Sequence, residues 1–223
     1  MEITPINIHN DNDKLNKKIP NYEKAVKDFF TNIETGDLYD YTDYVLNFLK
    51  TTDSKESKMI EYLSSHCNSQ NQVILGAIYL EMDEAKKAFQ EFKKAAEMNN
   101  PHGQYFLGHC YEIGIGIAED DETSVYWKKK AANQGIPAAC YFLGYHYEQG
   151  EGVRVNKRTA FILFRKAFES GYSAASLELA MTYDEGAGTL QNTHKAIYWY
   201  RKSIKDGDVN AYDYLRDLLR GVP

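Results

Sequence analysis

The sequence has no excess of positive charge, no long apolar run and too few cysteines to cross-link it. Its 26 Lys and Arg are outnumbered by 32 Asp and Glu, a formal charge of −6. That balance argues against a general nucleic-acid binder, whose affinity comes from cations that neutralise phosphates. Apolar runs such as Ala160-Phe161-Ile162-Leu163-Phe164 fall far short of the ~20 residues that cross a bilayer. The first twenty residues hold no hydrophobic segment of signal-peptide length. Cys67, Cys110 and Cys140 cannot all pair within one chain, and no Cys-x-x-Cys occurs. Reduced thiols and a cytoplasmic location are therefore expected. There is no Gly-x-Ser-x-Gly elbow, His-Glu-x-x-His pair or Ser/His/Asp cluster, so neither catalysis nor a cofactor or metal is expected. What the chain has in plenty is tyrosine: 18 Tyr against 10 Phe and 2 Trp. A disordered chain would not carry so many rings.

At 223 residues the chain can bury a core, and an internal repeat organises most of it. Leu107, Leu143, Leu179 and Leu215 stand 36 apart, with Leu75 ahead of them by 32. Small residues follow at Gly76, Gly108, Gly144 and Ala180, and tyrosines at Tyr79, Tyr111, Tyr147 and Tyr183. Glycine pairs come next at 114/116, 150/152 and 186/188. Ala88, Ser124, Ala160 and Ala196 hold the same phase, as do Lys94, Lys130, Lys166 and Lys202. Gly135, Gly171 and Gly207 close three of the units.

The spacing predicts two helices per unit. Phe106, Leu107, Cys110 and Tyr111 form an apolar helical stripe (helix A), and Phe161, Leu163, Phe164, Ala167 and Phe168 form another (helix B). The Gly-x-Gly pair falls between them, and the later Gly suits a helix C-terminus. The small residue after each Leu lets helix B approach helix A closely. Neither helix can bury its stripe alone, so units must stack. The first unit is four residues shorter and lacks the Gly-x-Gly loop. Upstream, residues 22–34, 37–50 and 54–66 show helical patterning, with Asp37, Thr52, Asp53 and Ser54 as candidate caps. Val209 to Leu219 predicts one further helix A with a polar outer side.

The pattern A-x3-LG-x2-Y-x2-G-x-G, then A-x5-KAA-x3-G, resembles the SEL-one-like repeat family, a relative of the tetratricopeptide repeats. The fullest match is Ala139 to Val153. Ser124 for Ala, Ala180 for Gly and Ser203-Ile204 for Ala-Ala depart from it. The resemblance implies an all-α, right-handed α/α superhelical solenoid of helix-turn-helix repeats, tetratricopeptide-like. It divides the chain into a flexible tail (1–20), a degenerate helical cap (21–68), four repeats (69–207) and a C-terminal capping helix (208–223). It also implies an adaptor or scaffold in protein complexes.

Several motifs have structural readings. Gly114-x-Gly116 follows a helix, whereas a dinucleotide loop follows a strand, and the pair recurs in every full unit. Cys110 and His146 share one repeat position, but no further ligands converge for zinc, and buried filler is expected. Asp120/Asp121 and Asp37/Asp40 fall at predicted helix starts, where carboxylates cap free amides.

One constellation is a candidate binding surface. In the tetratricopeptide architecture that the pattern resembles, helix A lines a concave groove. Carrying that phase over selects His102, Tyr105, His109 and Glu112, then Tyr141, Tyr145 and Glu148, then Leu177, Met181 and Asp184. Exposed tyrosines suit a peptide-binding floor because a rigid ring loses little entropy on contact; the alternative is that some of them pack between repeats and that the acids only solvate the helix ends. The acids suggest a protein ligand, a peptide or helix with basic residues beside apolar anchors. The alternatives are a regulatory subunit of an enzyme, a small-ligand-processing solenoid, and a homo-oligomer formed through an end cap.

Overall fold

The computed structural model describes residues 56–221, with side chains from Ile60 onwards. The expected tail and most of the expected N-terminal cap, with Asp37, Asp40, Thr52, Asp53 and Ser54, lie outside the described residues. Within them the chain is helical and has no strand. α1 (Glu56–Ser65) precedes four helix pairs. These are α2 (Ser69–Glu81) with α3 (Ala85–Glu97), and α4 (Pro101–Ile113) with α5 (Asp121–Asn133). Then come α6 (Pro137–Gln149) with α7 (Lys157–Glu169), and α8 (Ala175–Glu185) with α9 (Thr193–Lys205). α10 (Asn210–Gly221) ends the array. Each helix packs chiefly on its neighbours in the chain, which gives the α/α solenoid that the repeat predicts. No described helix is long and apolar enough to cross a membrane.

The landmarks take their expected places. A Cβ on Gly76 or Gly144 would lie 2.4 or 2.5 Å from the ring of Phe92 or Phe164 on the paired helix B. Leu75, Leu107, Leu143 and Leu179 are all buried. One core runs from Leu63 to Ala175, and two smaller clusters carry it on to Ala211. The landmark tyrosines seal one unit against the last: Tyr111 meets Phe89 edge-on at 5.6 Å, and Tyr183 meets Phe161 at 5.4 Å.

Local chemistry fixes where the B helices begin. The Asp120, Asn156 and Asn192 side chains each accept the amide three residues on, at 2.9–3.0 Å. Their own amides donate at 2.7–2.8 Å to the carbonyls of Tyr111, Tyr147 and Tyr183, which closes the Gly-x-Gly loop. Asn156→Ala should therefore cost about 1 kcal/mol, the usual loss for an N-cap. A urea titration reads this, and no shift in midpoint would mean that the loop closes without its cap.

Candidate functional site

The A helices (α2, α4, α6, α8) and the B helices (α3, α5, α7, α9) form two rows with opposite charge. The A row holds Glu81, Glu112, Glu148, Glu178, Asp184 and Glu185 and no Lys or Arg. Between residues 82 and 209, every Lys and Arg except Arg154 lies on a B helix.

The ten residues selected from the sequence divide into three kinds. His102, Tyr141, Tyr145, Glu148, Leu177 and Met181 are half-buried along the A row. Burial lowers the His102 imidazole to about 4. Asp184, also half-buried, accepts from the Tyr200 hydroxyl at 3.3 Å. Tyr105 is a correction: it is 1% exposed, not a free ring on the surface. Its ring stacks on His109 and lies 6.2 Å from that of Phe142 on the next A helix. His109 and Glu112 turn towards each other, with His109 Nδ1 2.8 Å from Glu112 Oε2.

Glu112 belongs to a buried charge cluster that joins two units. Its Oε1 pairs with the ammonium of Lys128 on α5, whose side chain is 0% exposed, and lies 3.2 Å from His146 Nε2 on α6. Lys128 Nζ is 3.1 Å from the same Nε2 and lies over the Phe142 ring. His146 Nδ1 sits 3.1 Å from the Glu151 carbonyl. Burial alone would raise the Glu112 carboxyl. Hydrogen bonds from His109 and His146, with the Lys128 ammonium, instead hold it well below the usual carboxylate range. Burial lowers the Lys128 ammonium, against the opposing pull of Glu112. His146 is thus a hydrogen-bonding member of a network and not the filler expected from the sequence.

A second cluster joins the next two units. Glu178 on α8 is 6% exposed and accepts from the hydroxyl of Tyr145 on α6, and at 3.4 Å from that of Tyr141. The two hydroxyls lie 3.1 Å apart. Burial raises the carboxyl, and the tyrosines' hydrogen bonds only partly offset it. Burial pushes the Tyr141 phenol up to about 12. Both clusters tie one unit to the next, and their polar groups are satisfied by each other.

Sequence reasoning missed Lys128 and Glu178, yet the repeat carried a signal for both. Lys128 stands in the column of Phe92, Phe164 and Tyr200, and Glu178 in that of Ile74, Phe106 and Phe142. A charge in a core column needs a buried partner.

Comparison with known proteins agrees with this architecture. A family model for the Sel1 repeat matches residues 101–136, 137–172 and 173–208, the three pairs from α4 to α9 with their closing turns. A Sel1 repeat protein from Oxalobacter formigenes is 27% identical, covering 92% of this chain and 60% of that one, with a TM-score of 0.69. A protective antigen present in uropathogenic Escherichia coli strains, displaying an SLR fold, is 30% identical. That match covers 71% of this chain and 35% of that one, with a TM-score of 0.67. The chain thus spans only part of each of these proteins. No curated protein matches it.

Proposed function

The chain belongs to the Sel1 repeat family, whose members generally serve as protein-interaction scaffolds, and from that premise we propose a non-catalytic adaptor that grips a basic, apolar-anchored segment of a partner protein along its A row. The observation that carries this is the charge separation. Four successive A helices hold carboxylates and no cation, with Tyr141, Tyr145, Leu177 and Met181 half-buried among them. The Glu148 carboxylate accepts from its neighbour Gln149 at 3.5 Å, and burial raises its carboxyl, as does Glu185 nearby, against the weaker pull of Lys157. An incoming Lys or Arg would relieve that repulsion and be steered in by it.

A random-peptide display library selected on the full chain tests the reading. Enrichment of Lys or Arg beside apolar residues is expected, and enrichment of acidic peptides would overturn it. Replacing Tyr145 by Ala would also strip Glu178 of its donor, so the surface is better probed with Glu148→Gln and Asp184→Asn. This pair should slow association of a selected peptide and flatten its salt dependence. Met181→Ala should weaken the same peptide by roughly 2 kcal/mol if the side chain is a hot spot. Unchanged affinity and salt dependence in both variants would place the ligand elsewhere.

A further inference from the structure

The outer side of the B row carries an apolar ladder that the described fold leaves largely exposed, although Tyr126 and Tyr198 also lie edge-on to Trp127 and Trp199. Tyr126, Ile162 and Tyr198 occupy one repeat position, each 36 residues from the next, and are 52%, 45% and 61% exposed. Three residues on from each comes a cation: Lys129, Arg165 and Arg201. Arg165 reaches Glu169 only at 3.6 Å. Lone exposed apolar residues are ordinary, but three in register among cations form a surface.

The surface that complements it is on the same molecule. The A row offers half-buried Tyr141 and Leu177, and Tyr145 and Met181, each pair 36 residues apart, with the carboxylates of Glu148 and Glu185 beside them. A partner with this step can meet the ladder at two successive units, not at one. We propose that the B row of one copy docks on the A row of a second copy, Arg165 and Arg201 facing Glu148 and Glu185. This rests on the reading of the A row as a binding surface for basic, apolar-anchored segments, and it names the segment's source. Pairing two B rows would oppose cations, and pairing two A rows would oppose carboxylates. The contact is therefore heterologous, and nothing in it closes a ring, so copies add one behind another.

Two variants of the full chain test the polarity of this contact. One, Tyr126→Ser/Arg165→Gln/Tyr198→Ser/Arg201→Gln, loses the B surface. The other, Glu148→Gln/Glu185→Gln, loses the A surface. All these side chains are exposed or half-buried, and matching helical circular dichroism is expected for both. By light scattering at about 0.01 M ionic strength, where charges act over roughly 30 Å, the unmodified chain should gain mass with concentration. It should revert to monomer near 1 M, where the range falls to roughly 3 Å. Each variant alone should self-associate at least tenfold more weakly. Mixed in equal amounts they should form a one-to-one complex and nothing larger, because each supplies the surface that the other lacks.

Monomer at every concentration, association that survives in either variant, or a mixture that does not pair would each overturn the proposal. So would a B surface that binds poly-glutamate or anionic vesicles while the chain stays monomeric. The reading of the A row fails separately. The variant without the B surface should still bind a selected basic peptide, and if the unmodified chain binds none, that reading falls whatever the light scattering shows.

Discussion

Lys128→Ala is expected to destabilise the protein by about 3–5 kcal/mol, the usual consequence of removing one partner from a buried ion pair. The Lys128 side chain is 0% exposed, with its ammonium on Glu112 and 3.1 Å from His146 Nε2. Truncation leaves the Glu112 carboxylate facing only two imidazoles and opens a void beneath Gly108, whose Cβ would meet Lys128 Cγ at 3.0 Å. Removing the whole cluster should behave differently. Glu112→Leu/Lys128→Phe/His146→Thr installs what Leu80, Phe164 and Thr182 supply at the same columns. That variant should be neutral or more stable, since apolar packing often outperforms a buried pair by about 1–4 kcal/mol.

Acid separates the two proteins further. The folded-state carboxyl of Glu112 is depressed, so its contribution is complete above the unfolded value, about 4.3. It is lost as pH falls through the folded one. The unmodified chain should therefore lose stability below about pH 4 more steeply than the triple variant. A loss below about 1 kcal/mol in Lys128→Ala, the range of surface substitutions, would mean that the lysine reaches solvent.

The fold was legible because its landmarks do backbone-level work that few residue types can do. Gly144 admits the Phe164 ring at a distance no Cβ allows, and Asn156 both caps α7 and donates to the Tyr147 carbonyl. Such demands recur in most of the units, so they appear as a period. The candidate site was less legible because it depends on contacts between units, which the period does not encode. Tyr105 and Tyr141 share a phase, yet Phe142 and His109 lie against the first while the second reaches across to Glu178. Lys128 sits in a Lys-Lys-Lys run that reads as a solvated face, and only its column marks it as core. The separation of charge between the two rows was also within reach of the sequence. It emerges once the six A-row carboxylates are sorted by helix and not by domain.

The second glycine of each Gly-x-Gly pair should be the least replaceable residue of its loop. Gly152 has φ +63, and a Cβ there would lie 2.2 Å from the carbonyl oxygen of Asp121, the first residue of the preceding B helix. Gly116 and Gly188 stand in the same relation to Ala85 and Lys157, at 2.4 and 2.1 Å. These loops therefore pack backbone to backbone on the start of the previous B helix, which explains the motif without a phosphate. Gly135 is the control: it also has positive φ, +93, but nothing lies within 4 Å of its Cβ position. Gly135→Ala should cost only the left-handed strain, about 1–2 kcal/mol. Gly152→Ala adds overpacking, typically another 1–3 kcal/mol, and because a backbone cannot swing aside as a side chain can, about 3 kcal/mol or more is expected in all. Urea denaturation of the two variants measures the difference directly. Equal losses would mean that strain alone selects the glycine and that the loop can lift off α5 without penalty.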